Sequence, residues 1–107
     1  METIPTVISP AGRLDAAHAP EFEQQLREQL SQGHNNLLID LASTTYISSN
    51  GLRILLATLK SARQSGGMLR LCCLSGRLKE IFEMVGFDQV FELYPDRAAA
   101  ERAFAGR

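Results

Sequence analysis

At 107 residues, with 45% apolar and 21% charged side chains, the chain has the size and composition of one globular domain that buries a core without staples. A net charge of −1 gives no basic footprint for nucleic acid or an anionic membrane, and no apolar run nears the roughly 18 residues of a membrane span. The opening METIPTV lacks the basic-then-apolar order of a signal peptide, so a cytoplasmic protein is expected.

The stretch TVISPAG, residues 6–12, is β-prone and carries Pro10 near its end, which marks an edge strand or a stop. Residues 12–15 read as a turn. Residues 18–32 read as a helix, with Phe22, Leu26 and Leu30 at four-residue spacing, Pro20 in the first turn and Gly33 as the stop. NLLIDL, residues 36–41, is an apolar run of strand length that predicts burial on both faces. Residues 42–49 read as a loop. A helix follows over 50–65, where Leu52, Leu55, Leu56 and Leu59 form one stripe that Ala62 continues before Gly66-Gly67 ends it. MLRLCCL, residues 68–74, predicts a second buried strand. Neighbouring side chains on a strand point to opposite faces, so Cys72 and Cys73 are expected as two buried free thiols. Leu78, Ile81, Phe82 and Val85 predict a helix stopped by Gly86, residues 88–93 a short strand, and residues 95–105 an alanine-rich helix anchored by Phe104. Strands alternating with helices predict a parallel-rich sheet.

Catalytic and cofactor signatures are missing. There is no G-x-G-x-x-G, no Walker lysine loop and no G-x-S-x-G elbow. His18 and His34 stand 16 residues apart, with no Cys or His at ligand spacing. Asp40 reads as a strand-end polar contact rather than an acid catalyst. No enzyme activity, metal or cofactor is therefore expected.

The segment TTYISSNGLRILL, residues 44–56, places two serines where a helix begins. If the helix starts just after Ser49, Ser49 is the N-cap, and its oxygen accepts from the amide of Gly51 or Leu52. In open parallel sheets function gathers beyond the carboxyl ends of the strands. The loop at 41–49 and the turn at 12–15 both leave such ends, so Asp15 and Ser49 are expected to share one edge of the molecule.

Two blocks carry a family resemblance. Gly12-Arg13-Leu14-Asp15 is similar to the G-x-L-D turn of STAS domains of the anti-sigma factor antagonist type. Tyr46-Ile47-Ser48-Ser49-Asn50-Gly51-Leu52-Arg53 resembles that family's aromatic-apolar-Asp/Ser-Ser-x-Gly-Leu segment. The resemblance implies an α/β STAS-type sandwich: a mixed, mostly parallel sheet of about four strands, with about four helices. The chain is expected to lack the family's usual N-terminal edge strand, or to fold residues 2–9 differently. The bare edge could then pair with a second copy in a homodimer.

The resemblance also implies a binding function. Such antagonists bind an anti-sigma factor that is a serine kinase of the GHKL class. Phosphorylation of the motif serine, here Ser49, breaks the complex, and a PP2C-type phosphatase restores it. Asp15 matches an acidic residue used in partner recognition, and Ser48, Asn50, Gly51 and Arg53 fall on the implied contact surface, with Lys60 further along the helix. Two positions depart from the pattern: Ser48 stands where many members have Asp, and Asn50 where Ser is frequent. The alternative reading is an unphosphorylated STAS accessory subunit of an ABC-type transporter, with the serine loop as its docking surface.

Overall fold

Leucine-rich and β-branched runs alternate with stretches whose apolar residues recur every three or four positions, and each run folds according to its period. The computed structural model describes residues 3–106. In chain order it contains β1 (Thr6–Ile8), β2 (Gly12–Leu14), α1 (Ala19–Ser31), β3 (Asn36–Asp40), β4 (Thr44–Ile47), α2 (Ser49–Gln64) and β5 (Met68–Cys72). Then come α3 (Gly76–Met84), a 3-10 turn (Phe87–Gln89), β6 (Leu93–Tyr94) and α4 (Arg97–Ala105).

The expected sheet of about four strands runs β1-β3-β5-β6 with parallel pairing throughout. Its central ladder sets Asn36 opposite Met68 and Asp40 opposite Cys72. Every position of β5 is buried, because α2 packs on one side of it and α4 on the other. Leu37, Ile39, Leu69 and Leu71 are wholly buried, as are Leu55 of α2, Phe82 of α3 and Phe104 of α4, and they belong to one continuous core. On the α4 side Arg70 is buried beneath Phe104, its guanidinium 4.4 Å from the ring centre, with Nε donating to Glu92 at 2.7 Å.

Five sequence expectations need correction. Residues 42–49 are not all loop, and residues 12–15 are not just a turn: β4 and β2 pair in parallel as a second sheet, with Tyr46 opposite Arg13 and Ile47 opposite Leu14. The β-branched and aromatic residues of TTYI suit a strand, but the partner lies some thirty residues away and is three residues long. Residues 88–93 are mostly not strand. Gly86, at φ 76°, throws the chain into the 3-10 turn, and β6 keeps two residues. Val85 leaves the core stripe at the end of α3 and is half exposed. Finally, Cys73 does not continue β5. Its φ of +68° breaks the strand alternation and brings its sulfur to 3.3 Å from that of Cys72, both thiols remaining free.

At the N-terminal side the sheet edge is β1, and no strand precedes Thr6 among the described residues. Within the 2–9 segment, Glu2 lies outside the described residues. Asp40 makes strand-end polar contacts: Oδ1 accepts from the Ala42 amide at 2.9 Å and Oδ2 from Arg97 at 3.1 Å.

Candidate functional site

β4 runs without a loop into α2. Ile47 is buried, Ser48 is still extended (φ −84°, ψ 174°), and Ser49 is the first helical residue. The cap is therefore Ser48, not Ser49 as expected. Its Oγ accepts from the Gly51 amide at 3.4 Å and donates to the Leu14 carbonyl at 3.0 Å. Its own amide donates to the same carbonyl at 3.0 Å. A hydroxyl can do both at once, so Ser48 ties the start of α2 to the end of β2.

With the cap provided by its neighbour, Ser49 is exposed, and its hydroxyl makes no hydrogen bond among the described residues. It stands in the first helical turn, where amides lack intrahelical acceptors and the macrodipole favours negative charge.

Gly51 is buried. A Cβ on it would lie 2.9 Å from Ile47 Cγ2 and 2.9 Å from the Leu14 carbonyl oxygen, so the absence of a side chain lets α2 close onto β2 and β4. Asn50 is half-buried, and its Oδ1 accepts from the exposed Arg53 at 3.2 Å. Both line a shallow groove between the starts of α1 and α2, together with Ala16, Pro20 and Glu23. Lys60 is exposed further along α2.

The Leu14–Ile47 pairing puts Asp15 and Ser48 at corresponding positions just past two adjacent strands, so Asp15 and Ser49 share one edge of the molecule. Asp15 is already engaged there. Its Oδ1 accepts from the amides of Ala17 and His18, each at 3.2 Å, and from His18 Nδ1 at 2.7 Å; Oδ2 accepts from Arg13 Nε at 3.4 Å. The hydrogen bond from the His18 side chain holds the carboxyl below its ordinary value, against the opposing effect of burial. The carboxylate thus organises the entry to α1 while remaining partly open to solvent.

On the other flank of Ser49 lies a groove that sequence reasoning missed. Tyr46 and Leu52 form one wall, and Arg77, Ile81, Met84 and Val85 of the α3 region form the other. Met84 is 83% exposed and Val85 50%, two of the most exposed large apolar side chains among the described residues. The available signal was the position of both residues beside Gly86, where the helix ends and its stripe no longer faces the core.

A STAS domain profile matches residues 1–100. The protein BtrV of Bordetella bronchiseptica is 39% identical over 93 residues, which cover 87% of this chain and 80% of that one. The anti-sigma-B factor antagonist of Listeria monocytogenes is 35% identical over 83 residues, 78% of this chain and 73% of that one. Among solved structures, an anti-sigma factor antagonist from Mycobacterium paratuberculosis superposes with a TM-score of 0.83 at 28% identity, covering 92% of this chain and 83% of that one. No helix among the described residues is long and apolar enough to cross a membrane.

Proposed function

The chain belongs to the STAS domain family, and we propose that it is an anti-sigma factor antagonist, switched off by phosphorylation of Ser49. In this reading it works in the cytoplasm. It docks on an anti-sigma factor that is also a GHKL-class serine kinase, through the surface around the start of α2, and a PP2C-type phosphatase resets it. The names of its relatives support the general role. The observation that carries the switch is the exposed Ser49 hydroxyl, which has no hydrogen-bond partner among the described residues, beside a cap that Ser48 supplies.

The physics of that position supports a modification that dissociates without unfolding. In the free protein a phosphate at the start of α2 gains about 0.3–1 kcal/mol from the helix terminus. Arg53 stands one turn further along, and Arg77 lines the same groove as Ser49. In a complex the balance reverses. A phosphate carries about −1.5 to −2 charges, and repulsion from one carboxylate at about 4 Å and an effective dielectric near 20 is about 4 kcal/mol per unit pair. That weakens binding roughly a thousandfold. Desolvation of the phosphate acts in the same direction.

Capture of partners from the source cell, followed by phosphosite mapping, tests the proposal. Recovery of a serine kinase, phosphate on Ser49, tight binding by Ser49→Ala and weak binding by Ser49→Asp are the expected results. Equal affinity of all three forms refutes the switch, and capture of a transporter ATPase with Ser49 unmodified favours the accessory-subunit reading instead.

A further inference from the structure

Away from the serine edge, Cys72, Cys73 and Asp40 converge at the carboxyl ends of β3 and β5, beside the first turn of α4. We propose that these three side chains form a binding site for a thiophilic divalent cation of the zinc class. The two sulfurs and a carboxylate oxygen of Asp40 lie within 4.8 Å of one another.

The backbone builds this convergence. Adjacent residues on a strand aim their side chains apart, and a non-glycine residue at positive φ is uncommon and strained. Cys73 holds φ +68° and by doing so sets its sulfur 3.3 Å from that of Cys72. Asp40 joins them because the parallel register pairs it with Cys72. Two contacting thiols with a carboxylate in reach can serve as a ligand set or as a disulfide in waiting. The geometry favours the ligand set: adjacent Cα atoms are about 3.8 Å apart, below the roughly 4.4 Å minimum of ordinary disulfides. Zinc–sulfur bonds of about 2.3 Å in a tetrahedral site place two sulfurs about 3.8 Å apart. The thiols need to separate by about half an ångström to reach that spacing.

Charge fits a divalent ion. Two thiolates and Asp40 against Arg97 leave two negative charges, which one such cation neutralises. Binding of the ion expels both thiol protons. Asp40 keeps lone pairs beyond those facing Ala42 and Arg97. Cys73 is half-buried, which leaves a path for the ion and room for water as fourth ligand.

Cadmium titration of the reduced full chain tests the site. The expected result is one ion per chain, an ultraviolet thiolate-to-cadmium charge-transfer band, about two protons released per ion and a higher melting temperature. Cys73→Gly keeps the fold, since glycine adopts positive φ freely, and loses both the band and the thermal shift. Asp40→Asn keeps the band but weakens binding roughly tenfold or more, with ion-free melting curves accounting for the lost Arg97 contact. The proposal is overturned if no band forms in protein whose thiols titrate as free after denaturation. Equal cadmium affinity in Cys73→Gly and the wild type overturns it as well.

Discussion

Among the described residues, replacing Ser48 with alanine removes two hydrogen bonds at one stroke, while replacing Ser49 removes none, so the two adjacent serines should differ sharply in stability. The Ser48 cap bond to Gly51 is long, 3.4 Å, which puts its loss toward the low end of the usual range of about 0.5–2 kcal/mol. The second bond, from Oγ to the Leu14 carbonyl, is a neutral one worth about 0.5–1.5 kcal/mol. That carbonyl keeps the Ser48 amide as a donor, so no buried acceptor is orphaned and this loss is also modest. Together they give about 1–2 kcal/mol for Ser48→Ala. At about 4–8 °C per kcal/mol for a domain near this size, the melting temperature falls by about 4–16 °C. Ser49→Ala should change stability by no more than about 0.5 kcal/mol. Urea and thermal unfolding followed by circular dichroism distinguish the two. If Ser49→Ala costs as much as Ser48→Ala, Ser49 is doing the capping and the hydroxyl is not free for modification.

Two further changes probe the same edge. Gly51→Ala drives a methyl group into the Leu14 carbonyl and Ile47, each 2.9 Å from the new carbon, and should cost about 1–3 kcal/mol in denaturant titration; a neutral result would mean α2 can lift from β2 and β4 at no cost. Asp15→Asn should lower the melting temperature at neutral pH, where the carboxylate's contacts with His18 and Arg13 are complete. Because the folded carboxyl titrates below its ordinary 3.8, its contribution is complete above that value and is lost as pH falls through the lower folded value, so wild type and variant should converge in acid. A gap that persists unchanged at the acid end would show that the carboxylate's charge is not what matters.

The sequence announces its core through leucines. The runs at 36–41 and 68–74 and the stripe from Leu52 to Leu59 have one period each, and the folded elements follow them within a residue or two. What it hides is set at a distance. β2 and β4 have three and four residues and exist through pairing with each other, which no local pattern declares. The identity of the cap was hidden for a related reason. Side by side, two serines have the same capping propensity, and the choice between them is made by where β4 stops, which the Leu14–Ile47 pairing fixes. The motif around Ser49 was legible through family resemblance. The apolar wall opposite it was not, because Met84 and Val85 come from α3 and its end, a helix distant in sequence. Cys73 was misjudged because a strand rule was applied one residue past the strand's end.

Ser48 also bears on how the proposed switch is tuned. An aspartate there accepts the Gly51 amide as well as serine does but has no proton for the Leu14 carbonyl at neutral pH. It also places a charge beside Ser49. Position 49 is exposed, so the aqueous limit applies: two unit charges about 6 Å apart repel by about 0.7 kcal/mol, and a phosphate near −2 roughly doubles that. A chain with serine at 48 escapes this repulsion, so its phosphorylated form should keep the full gain of about 0.3–1 kcal/mol from the helix terminus. A double-mutant cycle of Ser48→Asp with Ser49→Asp measures the coupling directly. At low ionic strength the pair should lose about 0.5–1 kcal/mol more than the sum of the single changes, and the excess should shrink toward zero in molar salt, where the screening length falls to about 3 Å. Additive single changes at low salt would mean that the two side chains point apart far enough for solvent to uncouple them, and that the residue before the acceptor leaves the phosphorylated state untouched.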